Sequence, residues 1–197
     1  MKIALVLLLV CCALCSPLWA QLPTDTPVDV LRTPGWEKGV FIGGSESFAN
    51  TPSAQSLVAG FRFGRVLTHE IGHNPLQGSF ELALDVIPLN EFWIRGGQYA
   101  AGINPFIAKW NFTRPCKISP YIAAVGGVLF STHKLPPGDT SNVNFTSGGE
   151  VGAQWFRKGR NSINVSAKVY HLSNASLGRK NPGINGAVQF MLGYAWH

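Results

Sequence analysis

Hydrophobic and polar residues alternate along this chain with a period of two, in runs bounded by Gly, Pro, Asn and Ser, which is the pattern of strands. The clearest run begins at Ser79. Phe80, Leu82, Leu84 and Val86 fall on one side, and Ser79, Glu81, Ala83 and Asp85 on the other. The closing run repeats it: Val188, Phe190, Leu192, Tyr194 and Trp196 share a face opposite Ala187, Gln189, Met191, Gly193 and Ala195. Leu57, Ala59, Phe61 and Phe63 oppose Val58, Gly60 and Arg62, and Val151, Ala153 and Trp155 oppose Glu150, Gly152 and Gln154. Segments near 37–45, 55–68, 78–88, 99–112, 118–132, 143–157, 161–173 and 184–196 are predicted as strands, the fourth and fifth alternating poorly. Past the first twenty residues no apolar run reaches the ~18 residues of a membrane helix.

The less apolar face of these runs is made of Gly, Ala, Ser and Gln with occasional charges. A soluble sandwich or lipocalin-like barrel would turn that face to water and fill it with Lys, Glu and Thr. A small membrane barrel instead presents its apolar face to lipid and packs the other into a narrow lumen. The expected fold is therefore all-β, an eight-stranded antiparallel up-and-down transmembrane β-barrel, with residues 21–197 forming a single domain. With a periplasmic N-terminus, the connections near 46–54, 89–98, 133–142 and 174–183 face outward. The basic turns Thr113–Lys117 and Lys158-Gly159-Arg160 then face the periplasm, and the connection near 69–77 is longer than this scheme expects. Parity turns Arg62, Glu81, Asp85, Glu150 and Lys168 inward, where buried charges need partners. Trp110, Phe112, Trp155, Tyr194 and Trp196 suit an interfacial girdle.

Composition narrows the compartment. Residues 1–20 read as a signal peptide: Lys2, an apolar run from Ile3 to Leu14, then Pro17-Leu18-Trp19-Ala20. Three of four cysteines lie in it, and Val10 and Leu14 are too bulky before Cys11 and Cys15 to suit an acylation site. Cys116 then stands alone, which excludes an intramolecular disulfide and a cysteine metal cluster. Charged residues make up only 13% of the chain, against ~25% for soluble domains. The formal charge of +6 comes from scattered basic residues. In an exported protein this favours anionic lipid as a partner and argues against nucleic acid.

Two constellations could carry chemistry. In the run from Ile163 to Ser173 the apolar parity includes His171 and Ser173, so both continue the outward stripe at its extracellular end. Residues i and i+2 of a strand lie side by side, which lets an imidazole serve a hydroxyl as general base. The bland alternative is a pair of interfacial polar residues. Asn174, Ser176, Gly178, Asn181, Gly183 and Asn185 follow, residue types that form turns and can aim N–H groups at an oxyanion. The second constellation, His69-Glu70-Ile71-Gly72-His73, matches H-E-x-x-H, with Glu91 as a conceivable third zinc ligand. Zinc proteases carry that motif on a helix, whereas Gly72, Pro75 and flanking strand patterns favour a turn here.

His171-Leu172-Ser173-Asn174, followed by Asn181-Pro182-Gly183-Ile184 and a closing strand, resembles the PagL-like lipid A 3-O-deacylases. The resemblance implies an outer-membrane barrel esterase that removes an ester-linked acyl chain from lipid A of lipopolysaccharide by a Ser–His mechanism. It needs no cofactor or metal, and its partners are lipopolysaccharide and outer-membrane lipid. It makes Ser173 the nucleophile and His171 the base, with Asn174 and Asn181 matching asparagines that shape the site. Asn185 stands where the best-known members carry a Glu after the Asn-Pro-Gly turn. An amide can orient a histidine but cannot stabilise an imidazolium by charge. Three outcomes stay open: a weaker Ser–His–Asn site, an acid from elsewhere (Glu150 and Asp85 being inward by parity), or lost activity. A non-enzymatic structural or adhesion barrel and a secreted zinc protease are the competing functions.

Overall fold

The structure is a computed structural model that describes residues 27–48, 53–94, 96–114, 117–138, 140–157 and 160–197. The expected signal segment, Cys116 and Lys158 lie outside the described residues. Eight strands follow in chain order: β1 (Gly35–Ser47), β2 (Gln55–Val66), β3 (Gly78–Trp93), β4 (Gln98–Phe112), β5 (Ile118–Leu135), β6 (Ser141–Phe156), β7 (Asn161–Ser173) and β8 (Ile184–Trp196). Each pairs antiparallel with the next, and β1 pairs with β8, so the sheet closes into an up-and-down barrel with no free edge. β7 and β8 run over the expected residues. β3 and β5 run further than expected, shrinking the 89–98 and 133–142 connections. The physical reason in β3 is a register irregularity between Ile87 and Asn90 that absorbs Pro88, after which the strand resumes.

The barrel is inside-out relative to a soluble protein. Val165 and Leu192 on the wall are 55% and 54% exposed, while their neighbours Ser166 and Met191 are both 7% exposed. Apolar side chains over most of the outer surface leave lipid as the solvent that fits this wall. Tyr194 and Trp196 pack edge to face at 5.0 Å, and Trp155 and Trp36 join them around the end that carries the short turns.

The lumen is filled with paired charge. Arg62 Nε and Nη2 donate to Asp85 at 2.7 and 3.0 Å, and its two Nη atoms donate to Glu150 at 3.2 Å each. Tyr121 Oη donates to Glu150 at 2.6 Å. Gly152 permits this reach, because a Cβ there would sit 2.5 Å from the Tyr121 ring. Below it, Lys109 Nζ bridges Glu37 at 2.9 Å and Glu81 at 3.1 Å, and Asn111 donates to Glu81 at 2.7 Å. Of the inward charges, Arg62, Glu81, Asp85 and Glu150 therefore find charged partners, as burial demands, while Lys168 Nζ lies 5.3 Å from the Tyr170 ring centroid. Apolar clusters close both ends: Phe92, Leu135, Leu172 and Ile184 beneath the β7–β8 loop, and Leu31, Val66 and Phe156 at the other mouth, where a 3-10 turn (Pro27–Leu31) folds in.

Candidate active site on the outer wall

Along β7 the even positions face the lumen, buried at all but Asn164, and the odd ones lie on the wall, so His171 and Ser173 both face outward, half-buried, at the loop end. Their Cα atoms are two strand residues apart, about 6.7 Å. No hydrogen bond joins imidazole to hydroxyl here, and catalytic hydrogen bonds are often long in unliganded proteins. The neighbours follow from the β6–β7 register, in which His171 lies opposite Ser147 and Ser173 opposite Phe145. Sequence reading missed both. Counting back across the short turn, from Phe156 opposite Ser162, would have found them.

The β7–β8 pairing contains the decisive irregularity. Tyr170 pairs with Ala187 but Leu172 pairs with Ile184, so Asn185 and Gly186 together stand opposite His171. This one-residue bulge keeps Asn185 out of the lumen, where the odd parity of β8 continued back from Ala187 would place it. Asn185 is exposed while Ile184, Gly186 and Ala187 are buried, placing its amide on the same outer wall as the imidazole. Glu150 and Asp85 remain in the lumen, bound to Arg62. Among the described residues no carboxylate lies within ion-pair distance of His171, so Asn185 is the polar residue the fold sets across from it.

The loop is held by its own polar groups. Asn174 is 2% exposed, and its backbone N–H donates to Asn181 Oδ1 at 3.0 Å. Its Nδ2 donates to the Lys180 carbonyl at 2.8 Å, and its Oδ1 accepts from Ser176 N at 2.9 Å. Leu177 N donates to the Asn174 carbonyl at 2.9 Å, closing a turn in which Ala175 and Ser176 have φ of 48° and 65°. The N–H groups of Asn174, Ser176 and Leu177 are thus spent inside the loop and are not free for an oxyanion. Asn174 and Ser176 shape the loop. Asn181 accepts through Oδ1, which leaves its amide nitrogen without a partner among the described residues. Gly183, at φ +60°, carries the chain past β7: a Cβ there would lie 2.5 Å from the Leu172 carbonyl oxygen and 3.6 Å from His171 Cε1.

The H-E-x-x-H stretch is not helical. It lies in the β2–β3 connection, where Ile71 bridges Gly78 and Gly72 adopts φ +82°. Glu70 pairs with Arg32 at 3.2 Å and accepts from the Thr113 hydroxyl, so it ties the mouth of the barrel together. Glu91 sits near the opposite end, on β3 beside the Gly97 turn. Among the described residues no three His, Cys, Asp or Glu side chains converge as a metal ligand set.

A closed eight-stranded barrel with a lipid-facing wall and a filled lumen is a small outer-membrane-type β-barrel. Within that class, the chain belongs to the PagL family of lipid A 3-O-deacylases, whose sequence model matches residues 55–195. In fold it is similar to the outer membrane enzyme PagL, at 19% identity and a TM-score of 0.52, over 82% of this chain and 99% of that one. It is also similar to Neisserial surface protein A, at 11% identity and a TM-score of 0.56, over 82% of this chain and 96% of that one. No curated protein matches the sequence significantly. At these identities the structural likeness establishes the barrel, and chemistry must be argued from the wall.

Proposed function

We propose that this protein is an outer-membrane esterase that removes an ester-linked acyl chain from lipid A of lipopolysaccharide, with Ser173 as nucleophile and His171 as general base. The observation that carries the reading is the shared outward orientation of these two side chains at the loop end of a lipid-facing wall, in a chain of the lipid A 3-O-deacylase family. An ester in the outer leaflet meets that wall directly, so the substrate need not leave the membrane. His171 takes the Ser173 proton as Oγ attacks the acyl carbonyl carbon. The tetrahedral oxyanion is met by a preorganised donor, for which the unpartnered Asn181 amide is the best-placed group in the loop. Collapse expels the sugar hydroxyl, which takes the proton from His171, and leaves an acyl-Ser173. Water, deprotonated by His171, then releases the fatty acid. Asn185 orients the imidazole from the β8 bulge.

The test is mass spectrometry of lipid A after incubation with the refolded protein. The wild type should yield lipid A lighter by one acyl group together with free fatty acid, and Ser173→Ala should yield neither. Equal release by the Ser173→Ala variant refutes the assignment. A second reading, a barrel that retains the fold without hydrolysis, draws on the lack of a carboxylate beside His171. It predicts an unchanged lipid A spectrum with the wild type as well.

A further inference from the structure

The basic residues have a distribution that deacylation does not use. At the turn end, opposite the candidate active site, Lys38 on β1 and Arg65 on β2 project outward and are exposed, as does Arg157 just past β6. Arg160, exposed in the following turn, accepts the His197 N–H through its carbonyl and so stands next to the end of β8. Among the described residues no carboxylate side chain occupies a wall position in this half of the barrel. Glu37 and Glu81 face the lumen and are bound to Lys109, while Asp29 and Glu70 pair with Arg32 at the mouth. The two strand acids outside the lumen, Glu46 and Glu91, both lie at the loop end.

The cations are interleaved with aromatic rings. Trp36 lies directly opposite Arg65, whose guanidinium carbon is 5.2 Å from the indole centroid. Lys38 lies opposite both Phe63 on β2 and Trp196 on β8. Lys38 and Arg65 are therefore diagonal neighbours, about 7–8 Å apart at Cα, and two long side chains at that spacing can meet on one phosphate. Trp36 and Trp196 are 58% and 47% exposed, which suits rings seated at the glycerol level of a bilayer. Neither Lys38 nor Arg65 has an ion-pair partner among the described residues.

We infer that the arc formed by Trp196, Lys38, Trp36 and Arg65 is a binding site for the headgroup of an anionic phospholipid in the leaflet at the turn end. Charge complementarity selects the ligand: a wall half with cations and no wall acid, placed where a bilayer presents its phosphates. The site lies across the membrane from Ser173 and is independent of the hydrolytic reading.

The experiment is native mass spectrometry of the refolded full chain, released from mixed micelles doped with phosphatidylglycerol or phosphatidylcholine. Wild type should retain phosphatidylglycerol preferentially. K38Q/R65Q should bind it about 25-fold more weakly, roughly fivefold per cation removed, with an unchanged folded-band shift on unheated gels. The charge-keeping K38R/R65K should retain it, which separates recognition from misfolding. K134Q/K180Q, altered at the loop end, should also retain it. Inorganic phosphate at the lipid's concentration should not displace the lipid. Equal retention of the two lipids by wild type, retention by K38Q/R65Q, loss only in K134Q/K180Q, or full displacement by inorganic phosphate would each overturn the inference.

Discussion

The most informative perturbation is Asn185→Glu. The β8 bulge sets residue 185 on the outer wall across from His171, so a glutamate there would share the imidazole's side of the barrel without any change in backbone. As His171 takes the Ser173 proton it becomes a cation, and an amide offers it orientation but no charge. Two unit charges about 4 Å apart attract by ~4 kcal/mol at the effective dielectric of a protein surface. Residue 185 is exposed, and solvent screening together with side-chain entropy reduces that to about 1–2 kcal/mol. In a transition state that forms an imidazolium, this corresponds to a roughly 5- to 30-fold rise in kcat. The same change should leave KM nearly unaltered, because the charge develops only after binding. The assay is single-turnover release of fatty acid from lipopolysaccharide in detergent micelles, with Asn185→Ala alongside. Asn185→Ala should fall below the wild type because the imidazole loses its orienting group. If Asn185→Glu and Asn185→Ala both match the wild-type rate, residue 185 does not act on His171, and the bulge has only a structural role.

Other variants separate the wall from the lumen. Arg62→Met strands Asp85 and Glu150 in a buried lumen and should cost about 3–5 kcal/mol in urea unfolding from lipid vesicles, while the triple change Arg62→Met, Asp85→Leu, Glu150→Leu should recover most of it. Gly183→Ala must place a Cβ 2.5 Å from the Leu172 carbonyl at φ +60°, so it should destabilise by about 1–2 kcal/mol and lower kcat by displacing His171, whereas Gly126→Ala, open to the outside, should do neither. His73→Ala in the β2–β3 connection should keep deacylation within about twofold of wild type, and a larger loss would return the H-E-x-x-H stretch to the mechanism.

Much of this was legible because a barrel wall writes its period directly into the chain. Alternation from Ser79 to Val86 and from Ala187 to Trp196 needs no long-range information, since one face must meet lipid and the other a packed lumen. The same parity located Arg62, Glu81, Asp85 and Glu150 inside, although not which partners they take. Pro88 hid the far half of β3, because a proline interrupts the ladder locally and reads as an end when neighbouring strands are not in view. Asn185 was hidden for a related reason. A bulge is a mismatch between two strands, here Tyr170 to Leu172 against Ile184 to Ala187, and no single strand's pattern records it. Trp36 escaped notice as part of the girdle because its run begins in glycines and charges, Gly35 to Gly39, and alternates weakly.

The position of the candidate site follows from the same packing that fills the lumen. Eight strands enclose too little space for both an ionic core and a lipid substrate, and here the core occupies it: Arg62, Asp85, Glu150 and Tyr121 across the middle, Lys109 with Glu37 and Glu81 below, apolar plugs at both ends. Chemistry on a membrane ester must then use the outside, where each strand offers only alternate residues, so that a histidine and a serine on one strand are neighbours at i and i+2. A third polar group cannot come from the same strand at that height without replacing one of the first two. It has to come from a neighbour, and the loop-end neighbour on β8 would present Gly186 rather than Asn185 if its register were unbroken. The extra residue turns the amide outward, and Gly183, at φ +60°, leads the chain into it. Deleting Gly186 should therefore restore the regular ladder with Asn185 alone opposite His171, so that the amide stays on the wall and deacylation stays above the Asn185→Ala level while the barrel still folds. A fall to the Asn185→Ala level in that deletion would mean that the bulge itself, and not the outward amide alone, sets the imidazole.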